Sequence, residues 1–197
     1  MNIVLIAGCP SLTSSSTALL EVAAQTLANL GLPADTVQIR HLPADDLLLG
    51  RSHSTPLRQS SQLVRRADAL VIATSVTKGG YTGGLKAFLD LLPADSLRNK
   101  IILPLATAPA ANQWPAFDVA LRAVLSALGA RQILDGIYCL ESQLQLHNRK
   151  LWIEPEIAQQ LDTTLYKLVG MLRLEQETGT QFIDYRLPLR TRMTSWS

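Results

Sequence analysis

The sequence predicts a doubly wound α/β fold: a five-stranded parallel sheet in the order 2-1-3-4-5 with helices on both faces. Three observations predict it. Short apolar runs rich in β-branched residues alternate along the chain with longer segments of helical period. All but one of these runs are apolar almost throughout, as strands buried on both faces are. Five such runs alternate with five helical segments, which calls for right-handed crossovers between parallel neighbours.

The first run, residues 1–7 (MNIVLIA), reads as a buried strand beginning at the first residue. It is too short for a membrane span of about 20 residues, and no positive charge precedes it as in a signal peptide. A helix follows over 17–30, with Leu19, Leu20, Ala23, Ala24, Leu27 and Leu30 on one stripe, stopped by Gly31 and Pro33. The second run, 36–40 (TVQIR), is the amphipathic one. Asp45 and Asp46 read as a surface turn or a helix start. A helix over 54–66 begins with a Ser54 or Thr55 cap and Pro56 in its first turn.

The third run, 69–74 (ALVIAT), leads through a glycine-rich turn to a helix over 85–92, which ends before Pro93. The fourth run, 101–106 (IILPLA), carries Pro104, which removes a ladder donor. A helix over 116–128 closes on Gly129, and the fifth run covers 132–139 (QILDGIYC). The last helix, 155–174, sets Ile157, Leu161, Leu165, Leu168, Val169 and Leu172 at helical spacing. One domain is expected over 1–177. Residues 178–197, aperiodic and carrying Arg186, Arg190 and Arg192, read as a solvated tail or an arm on a partner subunit.

Composition narrows the function. With 197 residues, 47% hydrophobic and 17% charged, the chain is neither disordered nor short of core. A net charge of +2 is too mild to argue for nucleic acid. Cys9 and Cys139 offer no disulfide framework, so a cytoplasmic protein is expected. His41, His53 and His147 lie too far apart for a metal-ligand spacing.

In such a sheet, ligands bind at the carboxyl ends of the strands, at the switch point between strands one and three. That selects the loops 8–16, 75–84 and 107–115. The first reads GCPSLTSSS, and with Thr17 it crowds hydroxyls at Ser11, Ser14, Ser15 and Ser16 around a helix N-terminus. Free amides and the positive dipole end attract phosphate there, although serines before a helix also serve as ordinary caps. The loop has no GxGxxG and no GK[ST], which favours a terminal monophosphate over a pyrophosphate or triphosphate. The second loop, with Gly79, Gly80, Gly83 and Gly84, lets backbone approach a flat ligand. Lys78 there would favour a reduced, anionic ring system, or simply face solvent. A cysteine phosphatase would need Arg six residues after Cys9, where Ser15 stands.

These residues carry a resemblance. GCPSLTSSSTALLE is similar to a GSPRxxSRSSxLLE pattern, and ADALVIATSVTKGGYTGGLKAFLDLLP to ADGLIVATPVYKxxYSGxLKxLLDLLP. KIILPLATAP followed by FDVALRAVLSALGA completes it, so the chain resembles the flavodoxin-like, NAD(P)H-dependent FMN reductases over residues 1 to about 170. It looks most like the reductase component of two-component alkanesulfonate monooxygenases. The resemblance implies FMN phosphate at Ser14, Ser16 and Thr17, flanked by Ser11 and Ser15. It implies the backbone of Ser75, Val76, Thr77, Lys78 and Gly79 along the isoalloxazine, with Thr107, Ala108 and Ala111 at the other edge. It implies NADPH or NADH as hydride donor, a flavin-dependent monooxygenase as recipient of reduced FMN, and a homodimer or homotetramer.

The chain departs from the pattern where the family's loop arginines become Ser11 and Ser15, and where its Pro and Tyr become Ser75 and Thr77. Ala108–Pro109 replaces a Gly-Gly, and Val119 lies where sulfonate-linked members carry a tyrosine. Two lost charge-assisted contacts, each worth roughly 1.5–3 kcal/mol, imply an exchangeable flavin used as a substrate. The alternative is a non-catalytic subunit that keeps the fold as an interaction module.

Overall fold

The computed structural model describes residues 1–11, 13–147 and 150–178, without the side chains of 146–147, 150 and 175–178. β1 (Ile3–Ala7) lies between β2 (Asp35–Gln38) and β3 (Ala69–Ser75). β4 (Ile101–Ala108) pairs with β3, and β5 (Gln132–Ile133) with β4. All of these pairs are parallel, in the expected order 2-1-3-4-5.

Side chains alternate across each strand, and both sets are apolar. Leu5, Ala7, Val71, Ala73, Leu103 and Leu105 face α1 (Ser15–Asn29) and α6 (Pro155–Thr178), meeting Leu19, Leu27, Leu161 and Leu165. Val4, Ile6, Leu70, Ile72, Ile102 and Ala106 face α3 (Thr55–Arg66), α4 (Gly83–Asp90) and α5 (Trp114–Ala127), meeting Leu57, Phe88, Leu89 and Phe117. Each fully buried Leu, Ile or Phe of this kind contributes about 1.5–3 kcal/mol.

The expected stops hold. Gly31 adopts φ +79° after α1, its amide bonding the Ala28 carbonyl at 2.9 Å and the Leu32 amide that of Leu27 at 3.0 Å. That pair of bonds satisfies two orphan carbonyls, and only a residue without Cβ takes this φ cheaply. At the end of α3, Lys100, 8% exposed, donates its ammonium to the carbonyls of Arg65 and Ala67, and burial lowers its pKa.

The fifth strand is not continuous. β6 (Ile137–Leu140) takes over from β5 along the upper half of β4. Ile102 faces Ile133 but Leu105 faces Ile137, so Leu134, Asp135 and Gly136 span two residues of β4. The Ile102 carbonyl accepts from the Leu134 amide at 2.9 Å. Even-numbered residues of β4 thus turn their backbone toward the fifth strand, and Pro104 is one of them. Its missing N–H falls where the ladder breaks. Gly136 sits against it: a Cβ there would lie 3.1 Å from the Pro104 carbonyl oxygen and from the Trp114 ring.

Other boundaries also differ from expectation. The second strand ends at Gln38, and Ile39–His41 forms a 3₁₀ turn. Asp45 and Asp46 lie in a short helix, α2 (Ala44–Leu48). Ser54 is the N-cap residue of α3, but its hydroxyl makes no cap bond. α4 begins at Gly83 and α5 at Trp114, each two residues early, because Thr82 and Gln113 are the cap positions. An antiparallel hairpin, β7 (Leu144–His147) and β8 (Lys150–Ile153), was not expected between the fifth strand and α6. Of the tail expected at 178–197, only Thr178 lies within the described residues. No helix among the described residues is long and apolar enough to cross a membrane, and none of their His, Cys, Asp or Glu side chains cluster as metal ligands.

Candidate functional site

The loops after β1, β3 and β4 meet at the carboxyl end of the sheet, and the first two are joined by hydroxyls. Ser14, extended at φ −86° and ψ 127°, is the N-cap residue of α1, and its carbonyl accepts from the Ala18 amide at 3.0 Å. Its side chain does not cap the helix. It shares a hydrogen bond of 2.7 Å with the Ser16 hydroxyl instead, and reaches Ser75 Oγ at 3.4 Å. Ser16 and Ser75 hydroxyls lie 3.2 Å apart, and Ser75 donates to Cys9 Sγ at 3.5 Å. Ser14 and Ser16 are buried, Ser15 and Thr17 half-buried.

The neighbouring helix α4 is built oppositely. Thr82 Oγ1 accepts from the Leu85 amide at 3.4 Å and donates to the Gly8 carbonyl, so that N-terminus is closed by its own side chain. The first-turn amides of α1 have no such cap, and they carry the positive end of a 15-residue helix. Ser11 stands apart on the exposed loop, its hydroxyl accepting from the Thr13 amide at 3.3 Å.

Val76 is buried, and its amide donates to the Thr107 carbonyl at 2.7 Å. Beyond it the chain turns sharply. Thr77 and Gly80 exchange backbone bonds of 2.9 and 3.1 Å around Lys78 at φ 54° and Gly79 at φ 74°. Two left-handed residues in succession make a type I′ turn, which glycine accepts and which costs a lysine about 1–2 kcal/mol. Thr77 and Lys78 are exposed. The Gly79 amide donates to Gln113 Oε1 at 3.4 Å, tying this turn to the third loop. Tyr81 is half-buried, and burial raises its pKa.

In β4, Thr107 is fully buried and its hydroxyl has no hydrogen-bond partner. It is the direct neighbour of Ser75 in the sheet register, and strand alternation places both on the α1 face. An orphaned buried hydroxyl costs about 1–3 kcal/mol, so its position beside the serine cluster points to a polar ligand that completes it. Ala108 is buried, whereas Pro109 and Ala111 are exposed, Ala111 opening a 3₁₀ turn. The Tyr138 hydroxyl donates to the Ala110 carbonyl at 2.6 Å, and the Tyr138 ring lies 4.6 Å from that of Trp114.

These residues fit FMN. The uncapped amides and four hydroxyls of the α1 turn are donors of the kind a phosphate accepts from. The unpartnered Thr107 hydroxyl stands beside Ser75 in the sheet, and the turn of 77–80 is tied to the third loop by Gln113. The site carries no cation in its first loop, as the sequence implied. Thr82 and Gln113 were missed as site-building residues. Thr82 was legible, a threonine directly before Gly83 and a helix, but nothing in the sequence signals the reach of Gln113 to Gly79.

The topology and the place of this site, at the switch point between β1 and β3, define a flavodoxin-like α/β protein whose first loop ends on an uncapped helix N-terminus. Residues 1–145 match the NADPH-dependent FMN reductases, and the chain belongs to that family. An FMN reductase (NADPH) of Pseudomonas putida is 44% identical over 144 residues, 73% of either chain. One of Escherichia coli K12 is 37% identical over 165 residues, 84% of this chain and 86% of that one. Among solved structures, the apo form of an NADH:FMN oxidoreductase superposes with a TM-score of 0.76 at 34% identity, covering 85% of this chain and 87% of that one.

Proposed function

We propose that this chain reduces FMN with NAD(P)H and releases the reduced flavin. The observation that carries this reading is the uncapped N-terminus of α1, ringed by Ser14, Ser16, Thr17 and Ser75, in a member of this family. When bound, FMN supplies the redox chemistry, taking a hydride from the nicotinamide. The chain's own residues bind and orient. Ser14, Ser16 and Thr17 with the first-turn amides hold the phosphate, with Ser15 beside them and Ser11 at the rim. Ser75, Val76, Thr77, Lys78 and Gly79 run along the ring, and Thr107, Ala108 and Ala111 border its other edge. Side chains need not act as acid or base.

With serines in place of loop arginines, flavin exchanges readily and acts as a substrate. Such a reductase feeds a flavin-dependent monooxygenase, the role implied by the resemblance. Residues 1–177 form the reductase domain and work as a homodimer or homotetramer, for which Val119, 70% exposed on α5, offers apolar contact. Two buried, unpaired cysteines suit the reducing cytoplasm.

The test is a titration of the purified protein with FMN, followed by flavin fluorescence, and an assay of NADPH and NADH oxidation with FMN in excess. Saturable quenching and turnover are expected. No quenching at high micromolar FMN together with no turnover refutes the proposal.

A further inference from the structure

A cavity lies away from the loops described above, in the groove between α3 and the end of α4, with a volume of about 500 Å³. That is within the usual ~300–1,000 Å³ of small-ligand sites. Its floor is apolar, from Leu57, Phe88, Leu91 and Leu92. Its rim is cationic and polar, from Arg58, Arg65, His53, Ser61 and Gln62.

The charge is one-sided. Between Asp46 and Asp68 the chain has four arginines and no acid. The acids nearest the groove in sequence are engaged by cations of their own: Asp46 by Arg51, Asp68 by the Met1 ammonium, Asp90 by Lys86, Asp95 by Arg98. Arg58 and Arg65 have no ion-pair partner among the described residues and are exposed. They stand two helical turns apart, about 10 Å along one face of α3. Helix stability accounts for Arg65, which complements the dipole in the last turn, but not for Arg58, which opposes it near the first. The buried Lys100 ammonium beneath the end of α3 adds to the positive field at the Arg65 end.

We infer that this groove is a binding site for an amphipathic organic anion, its apolar body on Leu57, Phe88 and Leu92 and its anionic group on Arg58 or Arg65. The site is separate from the serine cluster, none of whose residues lines it. It does not depend on the flavin reading.

The probe is 1-anilinonaphthalene-8-sulfonate, titrated calorimetrically into the full chain with and without saturating FMN. One-site binding is expected, undiminished by FMN. The double variant Arg58→Glu/Arg65→Glu is expected to weaken it about tenfold or more, the loss of one charge-assisted contact. Arg58→Lys/Arg65→Lys keeps most of the affinity. Both variants should retain the wild-type melting temperature and wild-type NADPH oxidation. Absence of saturable binding, equal affinity in the charge-reversed variant, or displacement by FMN in step with flavin occupancy each overturns the inference.

Discussion

The Ser16 hydroxyl, in the first turn of α1, lies 3.2 Å from the Ser75 hydroxyl at the end of β3, although 59 residues separate them in the chain. The loops after β1 and β3 are therefore held to one another by the chain's own side chains. A group that displaces or joins this contact is sensed by both.

Replacing Ser16 by Ala removes the hydroxyl that Ser14 and Ser75 share. A loss of about 1 kcal/mol is expected, lowering the melting temperature by roughly 2–4 °C. The KM for FMN should rise several-fold while kcat stays unchanged, because the proposed contact is to a non-reacting phosphate. Steady-state kinetics checks this, and a fall in kcat alone would place the phosphate elsewhere.

Ser11→Arg puts a cation at the rim of the proposed phosphate loop. One charge-assisted bond of about 1.5–3 kcal/mol tightens FMN by one to two orders of magnitude. Fluorescence titration at low and moderate salt reads it, the gain shrinking as salt rises. An unchanged affinity would show that the phosphate does not sit beside Ser11.

The conformation of Lys78, at φ 54°, separates stability from activity. Lys78→Gly relieves left-handed strain, so the melting temperature is expected to rise by a few degrees. On the proposed site the same variant also loses an ammonium beside the ring, and slower turnover is expected. If both stability and turnover hold at wild-type values, Lys78 is an ordinary surface lysine.

Two glycines at the site should behave oppositely. A Cβ on Gly8 meets the Ala73 carbonyl oxygen and Leu85 Cδ2, both at 2.9 Å, whereas one on Gly83 meets nothing within 4 Å. Gly8→Ala is expected to destabilise by about 1–3 kcal/mol and Gly83→Ala, in the first turn of α4, to stabilise by a few tenths to 1 kcal/mol. Chemical denaturation curves measure both.

Burial pushes the Cys139 thiol up to about 12 from its ordinary 9.0. Between those values the unfolded chain has lost this proton and the native chain keeps it. The contribution is thus fully present below pH 9 and is lost as pH rises toward 12, at up to about 1.4 kcal/mol per unit. Cys139→Ala should show a shallower decline of stability over that window. Identical slopes would mean that the thiol is solvated in the native state.

Most of the architecture was legible because its signals are local. Continuous apolar runs marked the central strands, and Gly31 and Gly129 marked helix ends. The hairpin of β7 and β8 was not read, although Leu144 and Leu146 alternate with Gln145 and His147; in β8 the run Leu151–Trp152–Ile153 is apolar throughout and hides the alternation. The break in the fifth strand was half legible: Pro104 announced a missing donor, but only the sheet order shows that it faces β5 and β6. At the site, the serines were visible as a cluster before a helix. That their hydroxyls bond to each other and to Ser75, leaving the α1 amides free, depends on the β1–β3 register. The orphaned Thr107 hydroxyl likewise emerges only when β3 and β4 are paired.

The broken fifth strand has a consequence for how copies of this protein can meet. An edge strand is a template on which another chain can grow its own sheet. Here that edge is two pieces of two and four residues, offset by a bulge, and the opposite edge, β2, is only four residues long. Neither presents a long flat row of open donors and acceptors. Fibrous, sheet-to-sheet growth is thereby discouraged, and association falls to the helical faces and loops.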